Sequence, residues 1–298
     1  MLKRRTDLAV EARDLSGTAG EIPGVESETA LREGFRVETV KVLDRRGAEA
    51  LGKPVGTYVT LFLEGVARRE QGAFPRAVEA LRGVLAPLLP LGEGDGALVV
   101  GLGNRAITPD AVGPKAADLT LVTRHLIAMA PEQFGAFRSV AALAAGVLGT
   151  TGVESGELVR AVVDKVRPKC VIAVDALASR KLDRVCTTVQ VADTGITPGS
   201  GVGNARNALN LESLGVPVIA VGVPTVVDGA TLCADVLEVA GKGVFDPAEL
   251  SGGAGGGLMV TPRDIDERVS DMAKIIGYGL DLALQPGLGI EELELLIG

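Results

Sequence analysis

Two aspartates, Asp110 and Asp175, carry the clearest chemical signal in the chain. Each follows an apolar run, residues 97–102 and 170–174, that predicts a buried strand. Ligands of parallel α/β sheets bind beyond the carboxyl ends of the strands, so both side chains are expected in one crevice. Two facing carboxylates do not both ionise easily, which lets one act as an acid and the other as a base. The pair therefore predicts hydrolysis by an activated water molecule.

Each aspartate also has a purely structural interpretation. Asp110 could cap the helix that begins near residue 113, because a carboxylate accepts from the free N–H groups of a first helical turn. Asp175 could form a salt bridge with Arg180 or Lys181, since a buried carboxylate needs partners. The residue pattern leaves both interpretations open, and the presence of two such aspartates favours the catalytic one.

The turn after the first of these runs resembles a nucleotide-binding motif. Residues 101–106 match the G-x-G-x-x-A pattern of dinucleotide sites. Pro109 stands where the phosphate-binding helix would continue, and a helix interior resists proline, so this interpretation is disfavoured. The pattern instead predicts a tight turn that brings Asn104, Arg105 and Asp110 to a ligand.

A second glycine-rich segment, residues 193–206, could bind an anion. Glycine-rich loops expose several backbone N–H groups, which hold a phosphate, a substrate carboxylate or the oxyanion of a tetrahedral intermediate. The alternative is an ordinary glycine-rich turn. The candidate binding residues in this loop are Asp193, Ser200, Gly201, Asn204 and Arg206.

Composition restricts the classes of function. The 298-residue chain has a formal net charge of −8, six Phe, two Tyr and no Trp, which disfavours a direct nucleic-acid partner. No apolar stretch reaches the length of a membrane helix, and the basic start lacks the apolar segment of a signal peptide, so a cytoplasmic protein without a membrane partner is expected. His125 is the single histidine, and neither a metal site nor a cofactor is predicted.

The order of the predicted elements indicates an α/β fold. Strand-like runs alternate with helical segments, which predicts a mostly parallel, twisted sheet with helices on both faces. One helix is expected from residue 113 to about 129, and a C-terminal helical segment at about 260–285. Residues 1–34 are polar and interrupted by glycines and a proline, so they are expected to form loops.

Four segments in combination are similar to the germination protease family of spore-forming bacteria. They are Arg5-Thr-Asp-Leu-Ala-Val-Glu-Ala12, Gly101-Leu-Gly-Asn-Arg-Ala-Ile-Thr-Pro-Asp-Ala-Val-Gly-Pro114, Val174-Asp-Ala-Leu-Ala-Ser-Arg180, and Asp193-Thr-Gly-Ile together with Pro198-Gly-Ser-Gly-Val-Gly-Asn204. The resemblance extends over nearly the whole length. It implies an endopeptidase that degrades small acid-soluble, DNA-protecting spore proteins during germination. It further implies a homotetramer in the cytoplasm of the spore core, with a fold like that of hydrogenase-maturation endopeptidases.

The resemblance also implies a zymogen that cleaves itself. By motif, the catalytic aspartates fall on Asp110 and Asp175, and the self-cleaved bond falls between Asp7 and Leu8. The expected organisation is a pro-segment, residues 1–7, followed by a single α/β peptidase domain, residues 8–298. The sequence around Asp7 resembles the substrate pattern Thr-Glu-(Phe or Ile)-Ala, which is cut after the acidic residue. Three arginines are candidates for binding that acidic residue: Arg105, Arg180 and Arg206.

Two other functions are kept as alternatives. A hydrogenase-maturation-type peptidase would bind a metal through acidic residues and a histidine, for which His125 alone is available. A non-enzymatic phosphate or nucleotide binder would use the two glycine-rich loops. Nucleotide binding predicts thermal stabilisation by nucleotides and no proteolysis, so the two alternatives are distinguishable.

Overall fold

Nine strands form one sheet in the part of the chain that this computed structural model describes, residues 6–16, 22–199, 206–243, 247 and 257–297. The strands are β1 (Val25–Arg32), β2 (Phe35–Val42), β3 (Gly56–Phe62), β4 (Ala97–Leu102), β5 (Val140–Gly146), β6 (Cys170–Ser179), β7 (Thr188–Ala192), β8 (Val218–Asp228) and β9 (Met259–Val260). Their order in the sheet is β1-β2-β3-β7-β8-β6-β4-β5, and β9 pairs with β8.

The helices cover both faces of this sheet. They are α1 (Ala9–Leu15), α2 (Arg45–Leu51), α3 (Glu64–Ala67), α4 (Ala73–Leu85), α5 (Val112–Asp118), α6 (Arg124–Met129), α7 (Pro131–Phe134), α8 (Leu148–Thr151), α9 (Ser155–Val166), α10 (Leu211–Leu214), α11 (Gly229–Val239), α12 (Ile265–Leu284) and α13 (Ile290–Ile297). Within the described residues, no helix has the length and apolar character that crossing a bilayer requires.

Strands β8, β6, β4 and β5 are mutually parallel and form the half of the sheet that positions the site. Alternate residues of these strands point to opposite faces. Val99 and Ile172 belong to a core shared with α4 and α12, whereas Leu98 and Val171 pack with α9 on the other face. Burial on both faces explains why the strands are almost continuously apolar. The predicted α/β class, with helices on both faces, is confirmed.

The other half of the sheet is antiparallel, through the pairs β1–β2, β2–β3, β3–β7 and β7–β8. Since two successive reversals restore the direction, β3 and β1 run the same way as the parallel strands. Six of the nine strands described therefore share one direction. Only β2, β7 and β9 oppose it, so the sheet is mostly parallel in strand direction although it contains antiparallel pairs.

The expectation of loops over residues 1–34 is wrong in part, because α1 and β1 lie there. Strand β1 is exposed along nearly its whole length and is held by backbone pairing with β2. It therefore lacks the alternating apolar pattern that identifies a half-buried strand. Helix α1 buries only three residues, Ala9, Val10 and Glu11, one of which is charged.

The helix expected from residue 113 to about 129 is also wrong, because it is two helices, α5 and α6. The chain between them is tied to the edge strand β5 by Thr123. Its backbone N–H donates to the Val140 carbonyl at 3.1 Å, and its hydroxyl accepts from the Val140 N–H at 2.9 Å. These bonds replace the i to i−4 pattern, so the helix stops and restarts. The expected C-terminal segment contains α12, and α13 follows it.

Asp281 is a buried carboxyl inside α12. Its Oδ1 accepts the N–H of Leu121 at 2.9 Å, and Oδ2 is without a hydrogen bond among the residues described. Burial raises the pKa of Asp281 from 3.8 to about 8. The folded protein then holds a proton that the unfolded chain has lost, so this contribution to stability is complete below about pH 4 and disappears as the pH rises to about 8.

Asp281→Asn is therefore expected to raise the free energy of unfolding at pH 8 by roughly 1–3 kcal/mol, because the amide still accepts from Leu121 and carries no charge. Thermal unfolding at pH 5 and pH 8 measures the effect, which should be larger at pH 8. The matched control is Asp164→Asn, since Asp164 is an exposed residue of α9. Equal shifts at the two pH values would contradict the assignment.

Candidate active site

The structure brings Asp110 and Asp175 to one cavity of about 500 Å³, here called the carboxylate cavity. Asp110 ends a 3₁₀ turn, Thr108–Asp110, that follows β4. Asp175 lies within β6, one residue beyond the Gly101–Val174 pair at the end of the β4–β6 ladder. The cavity is thus at the carboxyl end of β4, where a ligand site of a parallel sheet is expected.

The glycines of the G-x-G turn allow the chain to approach Asp110 closely. Gly103 has a φ of +106°, and a Cβ there would lie 2.1 Å from the Asp110 carbonyl oxygen. A Cβ on Gly101 would lie 2.2 Å from the carbonyl oxygen of Gly113 on α5. The turn directs the N–H of Asn104 to Asp110 Oδ2 at 2.6 Å. Close packing of the turn accounts for both glycines without a dinucleotide.

The position of Asp175 after an apolar run suggested that it ends its strand, but the strand continues beyond it. Strand β6 continues to Ser179, but β4 stops at Leu102, so one edge of β6 is open beyond Asp175. The Asp175 side chain is 5% exposed and its Oδ1 accepts the N–H of Ala176 at 2.9 Å. Arg180, one of the two salt-bridge partners considered for Asp175, pairs with Asp235 instead, at 2.8 Å.

Both aspartates have raised pKa values. Burial raises the pKa of Asp110, and the N–H of Asn104 opposes the shift. The pKa of Asp175 lies well above its ordinary value because of burial, then the charge of Asp110, and also the charge of Asp7. The charges of Asp110 and Asp7 thus add to burial in favouring the protonated form of Asp175.

The third carboxyl group belongs to the N-terminal segment, which enters the cavity at Asp7. The Asp7 N–H donates to the Ala178 carbonyl at 2.9 Å, and the Ala178 N–H donates to Asp7 Oδ2 at 2.9 Å. The segment therefore pairs with the open edge of β6. The following residues, Leu8, Ala9 and Val10, are almost wholly buried. The bond predicted to be cleaved is held firmly against the sheet.

The candidate arginines are placed differently from one another. Arg206 lines the carboxylate cavity and its Nη1 lies 3.3 Å from Glu154, whereas Arg105 forms an exposed pair with Asp118. Arg180 pairs with Asp235, although its backbone N–H donates to Glu11 at 2.7 Å. The carboxylate of Asp7 is bound by a backbone N–H, that of Ala178.

The remaining candidates divide by position. Asn104 lines the carboxylate cavity. Asp193 instead accepts the N–H of Thr57 at 2.7 Å, beside the start of β3. Ser200, Gly201 and Asn204 lie outside the described residues, so their predicted binding roles stay predictions.

Two residues that sequence reasoning missed lie beside Asp7. Gln190, on β7, donates to the Asp7 carbonyl oxygen at 3.2 Å, and Lys53, before β3, donates to the same oxygen at 2.9 Å. Both line a second cavity of about 420 Å³, which shares Asp7, Leu177 and Thr197 with the first. Gln190 had a detectable signal, because an amide between two valines of a buried strand requires a partner.

A metal centre has little support from the described residues. They contain no group of three or more His, Cys, Asp or Glu side chains arranged to hold a metal ion. His125 is exposed on α6. The three cysteines are free thiols: Cys170 and Cys186 are buried and Cys233 is exposed.

The fold and the cavity together define an α/β protein with paired carboxyl groups beside the ends of parallel strands, an arrangement suited to hydrolysis. The family model described as germination protease matches residues 4–244. A germination protease of Caldanaerobacter subterraneus is 44% identical, over 98% of each chain. One from Priestia megaterium is 37% identical, over 94% of this chain and 93% of the relative. The chain belongs to the germination protease family and is a peptidase.

Among solved structures, a [NiFe] hydrogenase maturation protease, HycI from Thermococcus kodakarensis, aligns with 66% of this chain and 98% of its own. The TM-score is 0.37 and the sequence identity is 19%.

Proposed function

We propose that this protein is an endopeptidase that degrades small acid-soluble, DNA-protecting spore proteins during germination. We propose further that it is made as a zymogen and cleaves itself between Asp7 and Leu8. One observation carries the proposal: Asp7 lies in the carboxylate cavity together with Asp110 and Asp175, and its charge helps to raise the pKa of Asp175. The N-terminal segment then occupies the position of a substrate.

Asp110 and Asp175 share one proton in this mechanism. Asp175 holds it, because burial and two neighbouring carboxylates favour its neutral form. Asp110 remains ionised and removes a proton from the attacking water. The proton on Asp175 passes to the leaving nitrogen as the peptide bond breaks. The pair titrates as a unit, so activity is expected to report apparent pKa values of the pair.

The contacts of Asp7 also support a specificity for acidic residues before the cut. The N–H of Ala178 binds the Asp7 carboxylate, and a charged acceptor strengthens such a bond. A glutamate in a spore protein would bind the same group, with Arg206 lining the same cavity. The resemblance to the family further supports a homotetramer in the cytoplasm of the spore core, without a cofactor, a membrane or a direct nucleic-acid partner.

Intact mass after incubation at mildly acidic pH tests the proposal. The wild type is expected to lose residues 1–7, and a purified small acid-soluble protein is expected to be cut after glutamate. Asp7→Ala removes the acceptor for Ala178 and should slow self-cleavage by at least about tenfold, the effect of losing one charge-assisted hydrogen bond. Asp14→Ala, on the exposed side of α1, is the matched control.

Two results would count against this function. If the chain stays whole while a spore protein is cut, the zymogen proposal fails and the peptidase proposal survives. If neither the chain nor the spore protein is cut at any pH from 5 to 8, the proposed substrate class is wrong.

A further inference from the structure

The carbonyl oxygen of Asp7 accepts two hydrogen bonds from side chains outside the aspartate pair. Lys53 Nζ donates at 2.9 Å and Gln190 Nε2 at 3.2 Å. The same glutamine accepts the N–H of Ala9 through Oε1 at 2.7 Å. Gln190 therefore binds the peptide on both sides of the Asp7–Leu8 bond. Exchange of its amide oxygen and nitrogen would break both contacts, so its orientation is fixed.

The sheet aligns these groups with Asp175. Gln190 of β7 pairs with Gly222 of β8, and Gly222 pairs with Asp175 of β6. Residues in register across a sheet point to the same face, so the side chains of Gln190 and Asp175 share one face. Their backbones are two strand spacings, or about 10 Å, apart. Gly222 has no side chain between them, and it lines the second cavity with Asp7. The side chain of Leu177 occupies the space above Gly222, since a Cβ on Gly222 would lie 2.3 Å from Leu177 Cδ1, and Leu177 lines the same cavity as Asp7.

A neighbouring contact holds the turn that carries Lys53. Lys53 is half-buried in the turn before β3, and the hydroxyl of Tyr58 donates to the carbonyl of the next residue, Pro54, at 2.9 Å. Burial lowers the pKa of Lys53, while the charges of Asp7 and Glu11 oppose the shift. A positive group beside a carbonyl oxygen stabilises negative charge as it develops there.

We propose that Lys53 and Gln190 form the oxyanion-binding pair for the bond that is cut, an inference that rests on the proposed self-cleavage at Asp7–Leu8. Water attacks the Asp7 carbonyl carbon and gives its proton to Asp110. The carbonyl π electrons move to the oxygen, which Lys53 and Gln190 then bind as an oxyanion. Collapse of the intermediate breaks the C–N bond, and Asp175 protonates the Leu8 nitrogen. The products are a carboxyl group on Asp7 and an amine on Leu8.

Single-turnover self-cleavage of the full-length chain tests the pair. Lys53→Met and Gln190→Glu are expected to lower the first-order rate by about 10²–10³-fold, the effect of losing one oxyanion donor. Gln190→Glu keeps an acceptor for the N–H of Ala9, loses the donor to the Asp7 carbonyl oxygen and adds a negative charge beside that oxygen. Lys53→Arg retains a charged donor and should recover part of the rate. Lys41→Met, at an exposed position of β2, is the control and should match the wild type.

Hydrogen exchange at residues 6–16 separates catalysis from docking of the segment. A role at the oxyanion predicts unchanged protection of these amides in Lys53→Met together with the slow rate. Two results would overturn the inference. In the first, amide protection in both Lys53→Met and Gln190→Glu falls in proportion to the cleavage rate. In the second, both variants cleave within about threefold of the wild-type rate. Failure of the proposed function is recognised separately, because the wild type then cleaves neither itself nor a spore protein. If only self-cleavage is absent, the same variants are compared on a spore-protein substrate.

Discussion

Asp175→Asn is expected to lower kcat for cleavage after glutamate by about 10²–10⁴-fold, because an amide cannot act as the acid that protonates the leaving nitrogen. The fold should persist, since the amide oxygen still accepts the N–H of Ala176. The variant should also be more stable than the wild type above neutral pH. Asp175 has a raised pKa in the folded state, so its contribution to stability is lost as the pH rises through that value.

The pH profile distinguishes this role from simple substrate binding. Activity that requires a protonated Asp175 declines as the pH rises through the upper apparent pKa of the pair. Steady-state kinetics and thermal unfolding from pH 5 to 9 measure both effects, with Asp164→Asn on the exposed face of α9 as the control. Full activity of Asp175→Asn at pH 6 would exclude the carboxyl pair as the catalytic group.

Glu11→Ala is expected to lower the free energy of unfolding by about 3–5 kcal/mol, the usual effect of removing one partner of a buried ion pair. Glu11 is 1% exposed and accepts from the backbone N–H groups of Arg180 at 2.7 Å and Lys181 at 3.1 Å. Its Oε1 also lies 3.3 Å from Nε of Arg184, a guanidinium that is itself mostly buried. In the variant the two N–H groups lose this acceptor, and Arg184 keeps only the more distant carboxylate of Asp14.

Chemical denaturation of Glu11→Ala and Asp14→Ala measures this difference. Asp14 is three residues further along the same helix and more exposed, and it lies 3.5 Å from Arg184, so its removal should change stability by less than about 1 kcal/mol. Equal destabilisation by the two substitutions would show that the buried network around Glu11 is not the main attachment of α1.

The convergence of Asp110 and Asp175 was predictable because β4 and β6 are adjacent and parallel. Each aspartate follows a continuous apolar run that predicted its strand, and the two runs end at the same edge of the parallel pair. Asp193 follows an apolar strand in the same way, yet β7 is antiparallel to β8. Its carboxyl end therefore lies at the opposite edge, where Asp193 binds Thr57. Strand direction is a property of the sheet that local sequence does not contain.

The N-terminal elements were not predictable for a related reason. Helix α1 is stabilised by Glu11, whose acceptor oxygens meet N–H groups about 170 positions later in the chain. A buried carboxylate has no local signal, because its partners appear only in the assembled fold. The roles of Lys53 and Gln190 depend equally on the segment that lies between them.

The contacts of Asp7 also determine the order of events during synthesis. Ala178, which binds Asp7, is 171 residues further along the chain, and translation at about 5–20 residues per second needs on the order of 10–30 s to cover that distance. Until then the N-terminal segment has no strand edge on which to dock. Asp7 is thus synthesised well before the strand on which it docks, and it cannot enter the carboxylate cavity before the sheet that forms this cavity is built.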